Sequence, residues 1–193
     1  SWIMTTCGNE LQHDFNTLNS LVEKMKARDS RRLYAATSFT FEKGHGGHAE
    51  PYDQFLVTQW TDDGWVRGQG VFESEEPSFN KNYSASMNCV TVPLISHEIG
   101  QYAVFPDMKE IDKYTGVLDP LNFKAIRNDM ADKELLDRAD AYTDATCRFA
   151  KLLYKEEIER ALKTPGFSGF QLLGIQDFPG QGTALVGMMD SHL

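Results

Sequence analysis

Positive charge is the first scarcity. The chain has 193 residues, with 19 Lys and Arg against 28 Asp and Glu, a formal charge of −9. Such a surface repels a phosphate backbone, and no run of basic residues offers a local exception, so a nucleic-acid partner is not expected. Long apolar runs are also missing, which excludes a bilayer-spanning helix and argues against a membrane partner. The three cysteines, Cys7, Cys89 and Cys147, are odd in number and lack the spacing of metal ligands. A disulfide-stapled scaffold and a zinc ribbon are therefore both disfavoured. What is present is ordinary for a globular protein: 41% hydrophobic and 11% aromatic residues, enough for a sizeable core.

The apolar pattern alternates between strand and helix. Residues 1–7 are mostly apolar and β-prone and end at Gly8-Asn9-Glu10; both faces of such a run are expected to be covered, as in a buried parallel strand. A chain that opens on a central strand leads us to expect one portion of a larger domain, here a single region over 1–193. Asp14 or Asn16 can cap a helix bearing Phe15, Leu18, Leu21, Val22 and Met25. Strands are expected at 33–39, 54–60, 89–95 and 169–175, helices at 122–130, 133–163 and 183–189, and an extended polar loop at 61–88. Pro93 makes the fourth strand less ideal. On the long helix, Leu136, Tyr142, Phe149 and Leu152 read as the packed side, and Lys151, Lys155, Glu156, Glu157 and Glu159 as a solvated face.

Strands alternating with helices imply parallel βα units, in an open doubly wound sheet or a (β/α)8 barrel. No G-x-G-x-x-G occurs, and Gly180-Gln181-Gly182 has no lysine beside it, so a nucleotide cradle is unsupported. A whole barrel needs about 250 residues. The expected fold class is α/β, a partial (β/α)8 barrel comprising strands four to eight with their helices.

In parallel sheets chemistry collects at the carboxyl ends of strands. Glu10 and Glu98, 88 residues apart, each follow an apolar run, preceded by Asn9 and His97. Two acids meeting across one mouth are what glycoside cleavage requires: one protonates the leaving oxygen and the other meets the oxocarbenium-like centre.

The residues Trp2-Ile3-Met4-Thr5-Thr6-Cys7-Gly8-Asn9-Glu10 resemble the fourth-strand signature of glycoside hydrolase family 2 and its clan of retaining barrels. Ser96-His97-Glu98-Ile99-Gly100 resembles the clan's seventh-strand Glu-x-Gly segment. The resemblance implies a retaining exo-β-glycosidase, β-galactosidase-like, with Glu10 as acid/base and Glu98 as nucleophile, acting on a carbohydrate substrate without metal or organic cofactor. It implies a hydrogen bond from Asn9 to the sugar 2-hydroxyl. It also implies an acid/base whose pKa lies above that of the nucleophile. Trp60 could stack on a sugar face, and Asp62, Asp63, His97, Gln176 and Asp177 are candidate substrate contacts. The clan's sixth-strand tyrosine and eighth-strand tryptophan have no clear counterparts; Tyr52 and Tyr83 are only loosely placed, and Gln176 and Phe178 stand nearest to the second.

With strands one to three elsewhere, strands four and eight would present open edges, which pair readily with other chains. The polypeptide alone is thus expected to be inactive and to need the missing segment or another copy. Family members often act outside the cytoplasm. The alternative from a different class is a non-catalytic carbohydrate-binding or scaffold module on a barrel-derived fold. A metal-dependent hydrolase using His45, His48 and Asp63 is a third reading. A zinc-protease reading of His97-Glu98 fails because position 101 is Gln, where H-E-x-x-H needs histidine.

Overall fold

The computed structural model describes residues 2–72, 74–178 and 185–192. The chain forms two compact units. One comprises Ser1–Ile99 with Glu156–Gln171, the other Gly100–Lys155 with Leu172–Leu193. The architecture is mixed α/β with parallel strands and helices.

The first unit opens with β1 (Met4–Thr6), α1 (Phe15–Arg28), β2 (Leu33–Ala35) and β3 (Leu56–Thr58). It continues through the short strands β4 (Trp60–Thr61) and β5 (Gly64–Trp65), the helix α2 (Gly68–Phe72) and β6 (Leu94–Ile99). β1 and β2 pair in parallel with Thr5 opposite Tyr34. β3 and β6 do the same with Val57 opposite Ile95. Parallel bridges from Asn9 to Ser38 and from Ser38 to Val57 join the two pairs, and β7 (Phe167–Leu172) lies beside β6. The order β1-β2-β3-β6-β7 follows the chain, with β4 and β5, which lie between β3 and β6 in sequence, paired separately.

Alternation along the strands divides their side chains between two apolar layers. Phe55 and Val57 pack with Ala35, Met4 and Ile95 on one face. Leu56 packs with Val66, Leu94 and Phe167 on the other. α1 lays Phe15 and Val22 on Tyr34 and Ala36, with the half-buried Cys7 at the edge. Its N-cap is Asp14, whose carboxylate accepts from Thr17 N at 3.2 Å. A cavity of about 430 Å³ on the first face is lined by Met4, Thr6, Ser38, Val57, Ile95 and Phe170, among others.

Several expectations shift. The run at 1–7 is not buried throughout: Trp2 and Ile3, ahead of β1, are 50% and 68% exposed, and Met4–Thr6 are half-buried. The fourth main strand is Leu94–Ile99, not 89–95, because Pro93 cannot donate; its carbonyl instead accepts from Leu56 N at 2.9 Å, and the ladder starts one residue later. The last main strand likewise runs earlier than expected, ending at Leu172. The polar segment 61–88 is structured. Thr61 pairs with Gly64 in a tight hairpin, α2 follows, and Ser84–Met87 forms a 3₁₀ turn. This segment is tied to the end of the long helix α4 (Ala139–Leu162), whose Glu156 and Glu157 are buried and not on a solvated face. Glu157 accepts from Gly68 N at 2.6 Å and Glu156 from Ser78 N at 2.5 Å, while Arg160 pairs with Glu156 and with Glu75.

In the second unit, α3 (Leu121–Asp132) packs Phe123 on Ile111 and Leu185. The helix expected from 133 begins only at Ala139, since Glu134 adopts φ 55° and interrupts the winding. Leu136, Tyr142, Phe149 and Leu152 prove exposed; the buried positions are Ala139, Ala150, Leu153 and Tyr154. Of the helix expected at 183–189, positions 183 and 184 lie outside the described residues. The remainder is not helical, and Met189 bridges Gln176 in parallel.

Gly100, immediately after β6, has φ 93° and lies against Tyr154; a Cβ there would fall 2.0 Å from the Tyr154 ring. That ring is held by the Tyr102 ring at 5.4 Å and by its hydroxyl, which donates to the Val186 carbonyl. Gly100→Ala therefore meets both a left-handed backbone and an unyielding ring, and should lower unfolding free energy by about 2–5 kcal/mol. Denaturant melts of the two proteins check this; a loss below about 0.5 kcal/mol would contradict the packing described.

Candidate active site

Glu10 sits just beyond β1, where Asn9 bridges Ser38 and Glu10 N donates to Ser38 O at 2.9 Å. Glu98 lies inside β6. Both have left-handed backbones, φ 51° and 50°, and Phe39 after β2 has φ 56°. A non-glycine residue in that region carries strain of roughly 1–3 kcal/mol and clusters at functional sites. Here the kinks fall at or near the carboxyl ends of strands and turn consecutive side chains toward one place.

That place holds both glutamates. Glu10, His97 and Glu98 each present one oxygen or nitrogen within 4.8 Å of the others, the one such set among the described residues. The two acids are half-buried, whereas the His97 side chain has no exposed surface. The ring is bonded on both sides. Gln59 Nε2 can only donate, so His97 Nδ1 accepts from it at 3.2 Å. The ring proton is then on Nε2, which donates to Asn9 Oδ1 at 2.8 Å. Glu98 Oε1 lies 3.6 Å from the same nitrogen, and Arg67, itself fully buried, donates from Nη1 to the His97 carbonyl at 3.3 Å. Burial, and secondarily the Arg67 charge, push the His97 pKa down to about 4, so the imidazole is neutral at physiological pH.

Glu10, His97 and Glu98 are also a set that could hold a metal ion; in this arrangement His97 Nε2 is bonded to Asn9, which leaves the two carboxylates as the groups that would meet a ligand. The other histidines are engaged separately: His45 bonds Glu50 at 2.5 Å and stacks on Phe15, while His48 bonds Asp62 at 2.9 Å. They do not converge with Asp63, whose carboxylate accepts from Cys89 N at 2.8 Å and closes the loop after the β4–β5 hairpin.

Trp60 is half-buried and meets the Phe39 ring edge-on at 4.5 Å, and Phe39 in turn lies 5.5 Å from His97. Trp65, at 5.3 Å from Trp60, and Phe41 are exposed, so an aromatic surface extends outward from the acids. Gln176 and Asp177 belong to the second unit and do not end a strand. Asp177 is buried, and its carboxylate accepts from Gly187 N at 2.7 Å. Gln59, Phe39 and Arg67 are additions the sequence reading lacks. Gln59 carries the same signal as the two glutamates, a polar residue following an apolar run; Arg67 carries none.

No protein-family model matches the chain, and no curated protein matches it either.

The unfolded chain protonates His97 near its ordinary pKa of 6.5, the folded chain only near 4. Folded protein thus loses stability as pH falls across that interval, by on the order of 3 kcal/mol. Comparing the native chain with His97→Gln cancels every other titrating group. The difference in their unfolding free energies should move against the native chain by that amount between about pH 7 and pH 4. A difference that stays constant would mean the ring is not held neutral.

Proposed function

We propose that this chain carries the catalytic machinery of a retaining exo-β-glycosidase resembling glycoside hydrolase family 2, β-galactosidase-like in substrate. Its five successive strands stand for the fourth to eighth of a (β/α)8 barrel. One observation carries the reading: side-chain atoms of Glu10 and Glu98, from strands separated by two others, lie within 4.8 Å. Retaining hydrolysis wants carboxyl groups roughly 5–5.5 Å apart, whereas an inverting enzyme keeps a wider gap for water.

In the reaction, protonated Glu10 gives its proton to the glycosidic oxygen as the bond to the anomeric carbon breaks. Glu98 attacks that carbon from the opposite face and forms a glycosyl ester. Glu10, now ionised, takes a proton from water as the water displaces Glu98, and the acid is regenerated. Asn9 stands beside Glu10 to bind the 2-hydroxyl, and Trp60 with Trp65 offers ring faces for the sugar or its leaving group. The outer strands of the row, β1 and β7, require neighbours, which the remaining barrel strands or another copy would supply.

The test is made with the barrel complete. Glu98→Gln should reduce turnover by about a thousandfold or more while sugar affinity persists. Glu10→Gln should slow glycosides with poor leaving groups far more than aryl glycosides, which need little protonation. Unchanged turnover in Glu98→Gln would overturn the assignment of Glu98 as nucleophile, and sugar binding with no turnover in the unsubstituted protein would leave a carbohydrate-binding module instead.

A further inference from the structure

We propose that His97 is a positioning residue that locks the side-chain amide of Asn9, so that Asn9 meets the sugar only as a hydrogen-bond donor and selects substrates with an acceptor at C2. The inference rests on the glycosidase reading of Glu10 and Glu98, and it assigns His97 a role that excludes direct substrate contact.

An asparagine amide has one acceptor oxygen and one donor nitrogen, and a rotation by half a turn exchanges them. On its own, exposed Asn9 could offer either to a ligand. The structure removes that choice. Asn9 Oδ1 accepts from His97 Nε2 at 2.8 Å, which leaves Nδ2 and its two hydrogens as the outward group. A flipped amide would set N–H against N–H and leave the ring proton facing only Glu98 Oε1 at 3.6 Å, beyond hydrogen-bond length. Such an unmet donor disfavours the flipped form by about tenfold to a hundredfold.

The lock holds only if the ring itself keeps its tautomer. Gln59 Nε2 at Nδ1 matches it from the far side, the Glu98 carboxylate 3.6 Å from Nε2 favours a proton there, and the Phe39 ring covers the imidazole at 5.5 Å with a tilt of 32°. Arg67 fixes the backbone by donating to the His97 carbonyl. Burial and the Arg67 charge oppose protonation, which would make Nδ1 a donor facing the Gln59 donor. Gln59, His97 and Asn9 thus form a directed relay running from β3 through β6 to the end of β1. Its last member is adjacent in sequence to the proposed acid/base, and its middle member to the proposed nucleophile.

Kinetics with 4-nitrophenyl β-galactoside and its 2-deoxy analogue, on the protein with its barrel complete, read the relay directly. Replacing His97 by Phe keeps a ring and removes the donor. It should lower kcat/KM on the 2-hydroxy substrate by about tenfold to a hundredfold and on the 2-deoxy analogue by less than about threefold. Asn9→Ala combined with His97→Phe should be no worse than Asn9→Ala alone, and His97→Gln, which retains an N–H, should recover part of the discrimination. Nitrogen-15 NMR of the histidines in the chain itself gives a readout that needs no turnover: His97 should be the neutral Nε2–H form, with that proton exchanging faster in Asn9→Ala. Equal losses on both substrates, additive effects in the double variant, or an Nδ1–H ring would each overturn the inference while leaving the two-glutamate reading in place. Undiminished turnover in Glu98→Gln would instead remove the reading beneath it.

Discussion

A neutral, fully enclosed imidazole is the constraint on which the site depends. His97 is the contact point of three strands: its own β6, the end of β3 through Gln59, and the end of β1 through Asn9. A hydrogen bond in such surroundings contributes only about 1 kcal/mol net to folding, but its loss leaves a buried donor or acceptor unmet and costs more. The strand ends are therefore held in one arrangement. Side-chain oxygens of Glu10 and Glu98 within 4.8 Å of each other are an arrangement that a looser framework would not hold. The rigidity of the relay and the closeness of the acids are two sides of one design.

The layers behind the site explain that rigidity. β3 sends Phe55 and Val57 to one apolar layer and Leu56 to the other, so neither face of the strand can rotate without exposing core. The polar segment after β5 is anchored by Glu156, Glu157 and Arg160 at the end of α4, a buried charged cluster joined to backbone amides at Gly68 and Ser78. Charges at that depth are tolerated because they are paired and hydrogen-bonded. Arg67, which opens this segment, bonds the carbonyl of His97.

Much of this was legible from residue order. Short, continuous apolar runs located the strands within a few positions, and the criterion of polar residues at strand ends selected Glu10 and Glu98 together with their neighbours. Strand edges were less legible. Pro93 delayed β6, and Glu134 interrupted a helical pattern that had no glycine or proline to mark the break. The helix face was misread because charged side chains at 156 and 157 carry no sequence mark of having buried partners distant in the chain. Arg67 was invisible for the same reason: its role depends on a carbonyl thirty residues away that only the fold brings near. Asp63 and Asp177 matched the pattern of sugar-binding acids, yet their oxygens serve backbone amides.

The left-handed kinks at Glu10, Phe39 and Glu98 carry an evolutionary consequence. At each of these positions glycine or asparagine would relax the chain, so selection for heat resistance alone would drift toward them. Two of the three are the glutamates of the proposed acid pair, and such drift would remove that pair while hardening the scaffold. On the glycosidase reading, glutamate at both positions forgoes the stability that glycine would return.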